Sequence, residues 1–126
     1  SIAPIIPGLN DEDIPDLLPR ARQAGARQAM YTLLRLSTSV ESVFLERMAE
    51  AFPERIGKII HRIREVRGGA MSDSAFFSRQ HGHGPYWAAI ERLFEVAKRK
   101  AGFEEFDHEH VPMTFRRPGR EQARLF

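Results

Sequence analysis

Cysteine is absent from this 126-residue chain, and so is any apolar run of membrane-spanning length. Without cysteine there is no disulfide framework, which favours a cytoplasmic protein. No apolar stretch approaches the roughly 20 residues that span a bilayer, and we recognise no signal peptide before the first apolar segment. The hydrophobic fraction of 42% is enough for a core, so we expect one domain or part of one.

The net charge of +2 is small but unevenly distributed. Acidic residues crowd positions 11–16, and basic residues crowd positions 55–67 and 116–124. Such stretches permit nucleic-acid contact without requiring it. Five bases flank a stripe of isoleucines: Arg55, Lys58, Arg62, Arg64 and Arg67. They form either a margin that meets DNA phosphates or, more commonly, the solvated outer face of an amphipathic helix.

The first third of the chain predicts a β-α-β unit with parallel strands. Residues 2–7 form an apolar segment, and a tight turn at Pro7-Gly8 leads into a helix capped by Asn10 or Asp11. Pro19 in the helix interior predicts a kink or a late helix start, and Gly25 ends the helix. A second buried strand is predicted over 28–36. Because the chain begins on a core strand, we expect it to be a piece of a larger protein.

The remainder is predicted to be helical up to residue 102, followed by an extended tail. Thr38 and Glu41 are spaced for a capping box at the start of the first of these helices. The isoleucine stripe over 56–66 predicts a second helix, ended by Gly68-Gly69. A loop over 70–84 precedes a third helix, which starts at Pro85 and ends at Gly102. The predicted fold class is α/β and mostly helical, with segments 1–36, 37–102 and 103–126.

Several short motifs follow one another in a recognisable order. They are Pro4-Ile5-Ile6-Pro7-Gly8-Leu9-Asn10-Asp11, Tyr31-Thr32-Leu33-Leu34-Arg35-Leu36, Arg67-Gly68-Gly69, Gly82-His83-Gly84-Pro85-Tyr86 and Gln122-Ala123-Arg124-Leu125-Phe126. Together they resemble the C-terminal part of radical SAM iron–sulfur enzymes, in the subgroup called spore photoproduct lyase-like or "DNA repair photolyase". The resemblance covers nearly the whole chain. It implies that residues 1–36 are the last two β/α units of a partial (β/α) barrel, followed by a helical extension and a tail.

The resemblance also implies cofactors. Enzymes of this family hold a [4Fe–4S] cluster with three cysteines in a C-x-x-x-C-x-x-C loop. The cluster cleaves S-adenosylmethionine to a 5′-deoxyadenosyl radical, which abstracts hydrogen from a substrate; for this subgroup the substrate would be a lesion in DNA. This chain has no cysteine and cannot ligate the cluster. We therefore expect the cluster in the rest of the parent protein and no catalysis by the fragment alone.

Four residues are the candidates for cofactor binding: Pro7, Gly8, Asn10 and Arg35. The first three follow a parallel strand, at the end where α/β barrels place their active sites. The resemblance implies that this loop lies beside bound S-adenosylmethionine. Alternatively Gly8 serves the turn and Asn10 caps the helix, and both roles are compatible with binding. Arg35 ends the second strand, where it either forms a structural ion pair or points into the barrel mouth.

Two H-x-H pairs, His81 with His83 and His108 with His110, invite a metal interpretation. Zinc sites need three or four protein ligands, which one pair does not supply. We expect a solvated glycine-rich loop around the first pair and no metal site. The acidic residues after position 103 are expected to be solvated surface.

Gln122, Leu125 and Phe126 resemble the Q-x-x-L-F peptide by which bacterial repair and replication proteins dock on the DNA sliding clamp. The alternative is an apolar terminus that packs on its own domain. The expected partners are thus the rest of the parent barrel, DNA, the clamp and, through open strand edges, a second copy of the fragment. The rival function is a small helical module that binds nucleic acid or protein without enzymatic activity.

Overall fold

The computed structural model describes residues 1–72 and 81–104. Its strands and helices, in chain order, are β1 (Ile2–Ile5), α1 (Ile14–Gln23), β2 (Tyr31–Leu33), α2 (Thr38–Ala51), α3 (Ile56–Val66) and α4 (Gly84–Lys100). A 3₁₀ turn over Asp11–Asp13 leads into α1. The described chain is mostly helical with a small sheet, which confirms the α/β class in its coarse form.

The two strands are parallel and adjacent, as predicted, with Ile2 opposite Tyr31 and Ile5 opposite Leu33. Both are shorter than the predicted segments 2–7 and 28–36. The carbonyl of Ile6 accepts hydrogen bonds from the amides of Leu9 and Asn10, so the backbone turns away from the sheet directly after β1. Pro7 therefore lies in a turn and not in the sheet, and residues 34–36 lie beyond β2 without regular secondary structure.

Helix ends follow the predicted glycines but not the predicted caps. Gly25, Gly68 and Gly102 all have positive φ and lie two residues beyond the ends of α1, α3 and α4. Helix α1 starts late, at Ile14, and keeps Pro19 inside it. Asn10 holds the N-cap position of the 3₁₀ turn, but its side chain bonds back to Ile6 and Pro4 and makes no capping bond. The N-cap position of α1 itself belongs to Asp13, so the prediction of Asn10 or Asp11 as its cap is wrong.

The predicted capping box is wrong as well. Thr38 is the first residue of α2, the N-cap position belongs to Ser37, and no side-chain capping bond forms there. The hydroxyl of Ser37 instead lies 3.1 Å from that of Ser39. The start of α2 therefore leaves its first amides without a side-chain acceptor from its N-cap.

Two apolar clusters form the core. The first packs one face of the sheet against α1 and α4; its buried members are Ile5, Ile14, Leu18, Leu33, Val66, Trp87, Ile90, Phe94 and Ala97. The second lies around α3; its buried members are Leu36, Met48, Ile59, Ile63 and Met71. The isoleucine stripe is thus confirmed as a buried helix face. Ala3, Pro4 and Thr32 are exposed, so the opposite side of the sheet faces solvent.

None of the helices described here combines the length and the apolar character needed to cross a bilayer. The predicted tail from 103 onward has only Phe103 and Glu104 inside the described ranges, and Phe103 packs on the first cluster. Gln122, Leu125 and Phe126 lie outside the described residues, as do His108 and His110.

Candidate functional site

The candidate site is the edge of the sheet at which both strands end. It consists of the turn over residues 6–11, which follows β1, and of residues 34–36, which follow β2. Because the strands are parallel neighbours, their carboxyl ends lie on one edge. The amide of Leu34 donates to the carbonyl of Ile5 at 2.8 Å, which joins the two segments directly.

Asn10 holds the turn closed. Its Oδ1 accepts a hydrogen bond from the amide of Ile6 at 2.7 Å, and its Nδ2 donates to the carbonyl of Pro4 at 3.1 Å. Both ends of the side-chain amide are therefore engaged within the turn. One N–H and one lone pair of the amide remain for a ligand.

Pro7 and Gly8 are buried. Gly8 has a φ of +80°, and a Cβ built there would lie 3.2 Å from Cγ of Arg62. The turn therefore requires glycine both for its backbone conformation and for its packing on α3. Both backbone polar groups of Gly8 are engaged within the protein, the amide with Asp11 and the carbonyl with Arg55.

Asp11 links the turn to α4. Its Oδ1 accepts a hydrogen bond from the amide of Gly8 at 2.8 Å, and its Oδ2 accepts one from the hydroxyl of Tyr86. Burial raises the pKa of Tyr86 to about 12, and the hydrogen bond to the Asp11 carboxylate adds to the shift. The phenol therefore stays protonated across the physiological range and keeps its hydrogen bond to Asp11. Arg62 stacks on the ring, with its Cζ 4.1 Å from the centroid.

Sequence reasoning missed this contact. Asp11 and Tyr86 are 75 residues apart, and their separation follows no periodicity that a pattern could reveal. The only available signal was the acidic residue directly after Gly8-Leu9-Asn10, which was assigned to a helix cap.

Arg35 is exposed, two positions beyond the end of β2. Its neighbours Leu34 and Leu36 both belong to the second apolar cluster. Within residues 1–72 and 81–104 it has no hydrogen bond or ion pair, so the structural ion pair considered as one alternative does not form there. Its guanidinium is thus available at the edge of the sheet.

Three of the five bases around the isoleucine stripe are held in internal contacts. Arg55 donates to the carbonyls of Gly8 and Leu9 and pairs with Glu12. Arg62 pairs with Glu65 at 2.6 Å, which raises the pKa of the guanidinium.

The third is Arg67, which is 8% exposed and donates to the carbonyl of Leu34 at 2.7 Å. Lys58 and Arg64 are exposed. Of the five bases, Lys58 and Arg64 therefore remain available to bind a phosphate, because the other three make contacts within the protein.

The first H-x-H pair is exposed at both positions. The amide of His83 donates to the carbonyl of Val66 at 2.8 Å, and His83 is the N-cap residue of α4. In the part of the chain that the structure describes, no three metal-binding side chains come together.

Comparison of the chain with protein-family models, curated proteins and solved structures gives no significant match.

Proposed function

We propose that this chain is the C-terminal part of a radical SAM iron–sulfur protein and supplies one wall of its S-adenosylmethionine pocket. One structural observation supports the proposal most directly. The carboxyl ends of the two parallel strands lie on one edge of the sheet. The hydrogen-bonded turn from Pro7 to Asn10 follows the first strand, and the exposed Arg35 follows the second. The family is proposed because the ordered motifs of the chain resemble it.

The iron–sulfur cluster does not fit this chain, because no cysteine is present to ligate it. No reaction step belongs to these residues, and the fragment alone is inactive. The rest of the parent protein holds the cluster. Radical formation from S-adenosylmethionine there would serve hydrogen abstraction, with a DNA lesion as the proposed substrate.

The residues at the edge do fit S-adenosylmethionine. A guanidinium such as that of Arg35 binds a carboxylate with two parallel hydrogen bonds, and the cofactor carries one carboxylate. Asn10 offers its remaining amide hydrogen and lone pair, while the buried Pro7 and Gly8 shape the turn that presents it. Their role is to bind and orient the cofactor.

Cofactor binding is tested on the intact parent protein by titration calorimetry with S-adenosylmethionine. Arg35→Gln is expected to weaken binding by about tenfold or more, as loss of a charge-assisted pair does. Arg64→Gln is the matched control, since Arg64 is also exposed but lies on α3. Equal affinity in both variants would contradict the proposal.

The family itself is tested on the genomic sequence upstream of Ser1. A cysteine triplet spaced C-x-x-x-C-x-x-C there supports the enzyme. An independent start codon directly before Ser1 favours the rival, a helical module that binds nucleic acid or protein. The internal contacts of Arg55, Arg62 and Arg67 reduce the basic surface that this rival needs.

A further inference from the structure

The basic residues of the α3 region contact both segments of the candidate site. Arg55 directly precedes the helix, Arg62 lies within it, and Arg67 directly follows it. From the sequence pattern we expected these side chains either to face solvent or to meet DNA phosphates. The structure instead directs them to the ends of the two strands.

Arg55 and Arg62 make the contacts to the turn after β1. One terminal nitrogen of Arg55 lies 3.1 Å from the carbonyl oxygen of Gly8 and 3.3 Å from that of Leu9. The aliphatic part of Arg62 packs on Gly8, and its guanidinium covers the ring of Tyr86. The turn is therefore held from the α3 side in two ways: Arg55 donates hydrogen bonds to its carbonyls, and Arg62 packs against it.

The contact to the segment after β2 comes from the far end of the helix. Arg67 donates to the carbonyl of Leu34 at 2.7 Å and to the carbonyl of His81 at 3.4 Å. Leu34 directly precedes Arg35, and its amide also donates to Ile5. Arg67 thus fixes the backbone from which the available guanidinium extends.

We propose that α3 is the positioning helix of the candidate site and that Arg55 and Arg67 are its positioning residues. Each residue secures one strand end from the α3 side, in addition to the Leu34–Ile5 hydrogen bond that joins the two ends directly. The turn with Asn10 and the side chain of Arg35 are held in one arrangement as a result. The relevance of this arrangement to S-adenosylmethionine rests on the proposed function.

Amide hydrogen exchange of the full 126-residue chain, followed by NMR, tests the proposal. Arg55→Met is expected to accelerate exchange at Leu9 and Asn10, and Arg67→Met at Leu34, by about tenfold in each case. These amides donate to Ile6 and Ile5 in the folded chain, so they are protected at the start. The amides of Ile90 and Phe94 in α4 report global stability and are expected to be unchanged.

Lys58→Met and Arg64→Met are matched controls, because both remove a charge from the exposed side of α3. Unchanged exchange at the strand ends would overturn the proposal, and so would an acceleration spread equally over α4. If a methionine variant does not fold, Arg67→Lys and Arg55→Lys replace it. A smaller but still local acceleration of exchange in the lysine variants supports the proposal. The absence of any acceleration overturns it. The measurement uses no cofactor, so failure of the S-adenosylmethionine test leaves its result intact.

Discussion

Gly82 lies so close to Trp87 that no side chain fits between them. A Cβ at this position would be 2.6 Å from both Cγ and Cδ2 of the indole. The ring is 2% exposed and lies edge-on to Tyr31, so it has no room to retreat. We expect Gly82→Ala to lower the free energy of unfolding by about 1–3 kcal/mol, the usual cost of overpacking. Urea denaturation followed by the fluorescence of Trp87, the single tryptophan, measures it.

Gly57→Ala is the matched control. This glycine lies in α3 with no atom within 4 Å of its Cβ position. Alanine is favoured over glycine in a helix by up to about 1 kcal/mol, so the control is expected to stabilise the chain. Equal losses in the two variants would show that crowding against Trp87 is not the cause.

The two tyrosines, Tyr31 and Tyr86, predict an alkaline transition. Burial raises the pKa of each to about 12, helped by the Glu91 carboxylate for Tyr31 and by Asp11 for Tyr86. The unfolded chain releases these protons near pH 10, before the folded chain does. The contribution of the two tyrosines to the free energy of unfolding is therefore fully present below pH 10. It is lost as the pH rises from 10 towards 12.

Absorbance of the phenolate at 295 nm measures this transition. The folded chain has only these two tyrosines, so little signal is expected below pH 11. Tyr86→Phe is expected to remove about half of the amplitude and to leave the Tyr31 transition in place. A component of half amplitude that titrates near pH 10 in the folded chain would contradict one assignment, and one of full amplitude would contradict both.

Single residues differed in how far the sequence could predict them. Glycines at helix ends were predictable, because a positive φ is a local requirement that few other residues meet. The turn at Gly8 was predictable for the same reason. The partners of Asp11, Arg55 and Arg67 were not, since a side chain chooses among groups that only the folded chain brings near.

Helix α3 is the element on which the second apolar cluster depends. Ile59 is 0% exposed and belongs to the cluster that also contains Met48 of α2 and Leu36 beyond β2. Ile59→Ala is expected to lower the free energy of unfolding by about 2–5 kcal/mol, through lost burial and the cavity that remains. Denaturation midpoints at unchanged slope measure the loss.

Val43→Ala in α2 is the control for this substitution. Val43 is 53% exposed, so its truncation removes little buried surface. A change within about 0.5 kcal/mol is expected. A loss at Val43 as large as that at Ile59 would mean that α2 is covered in solution by another surface.

Elements were predicted better in kind than in length. The periodicity of 3.6 identified α3 and α4 because each presents a single apolar face to the core. Both strands were predicted too long because Ile6 and Leu34 are apolar and yet lie beyond the sheet, in the second cluster. A run of apolar residues does not reveal which of two clusters it joins. The point at which a strand leaves its sheet therefore stays hidden from the pattern.

The sheet predicts the association state of the chain. Among the described residues each strand pairs only with the other, which leaves two open edges and an exposed face with Ala3 and Thr32. Unpaired strand edges recruit further strands. We expect the chain to self-associate through these edges, with a mass by light scattering that rises with concentration.

The double variant Ala3→Lys, Thr32→Lys tests whether the sheet mediates this association. Lysine at exposed strand positions opposes the addition of a strand from another copy, so the variant is expected to remain monomeric. Val40→Lys adds charge to an exposed position of α2 and is expected to associate as the unaltered chain does. A strict monomer for the unaltered chain at high concentration would rule out the sheet as an interface.

The C-terminal sequence predicts a partner that is independent of radical chemistry. Gln122, Leu125 and Phe126 match the outline of the clamp-binding peptide, in which an apolar pair fills a pocket and the glutamine amide fixes orientation. A peptide of residues 118–126 is expected to bind a bacterial sliding clamp with a Kd of about 1 μM, or about −8 kcal/mol. Fluorescence polarisation of the labelled peptide measures it. The double variant Leu125→Ala, Phe126→Ala removes both anchors and is expected to abolish binding, whereas Arg124→Ala leaves them and is expected to bind. Equal binding of the double variant and the unaltered peptide would show that the match to the motif is coincidental.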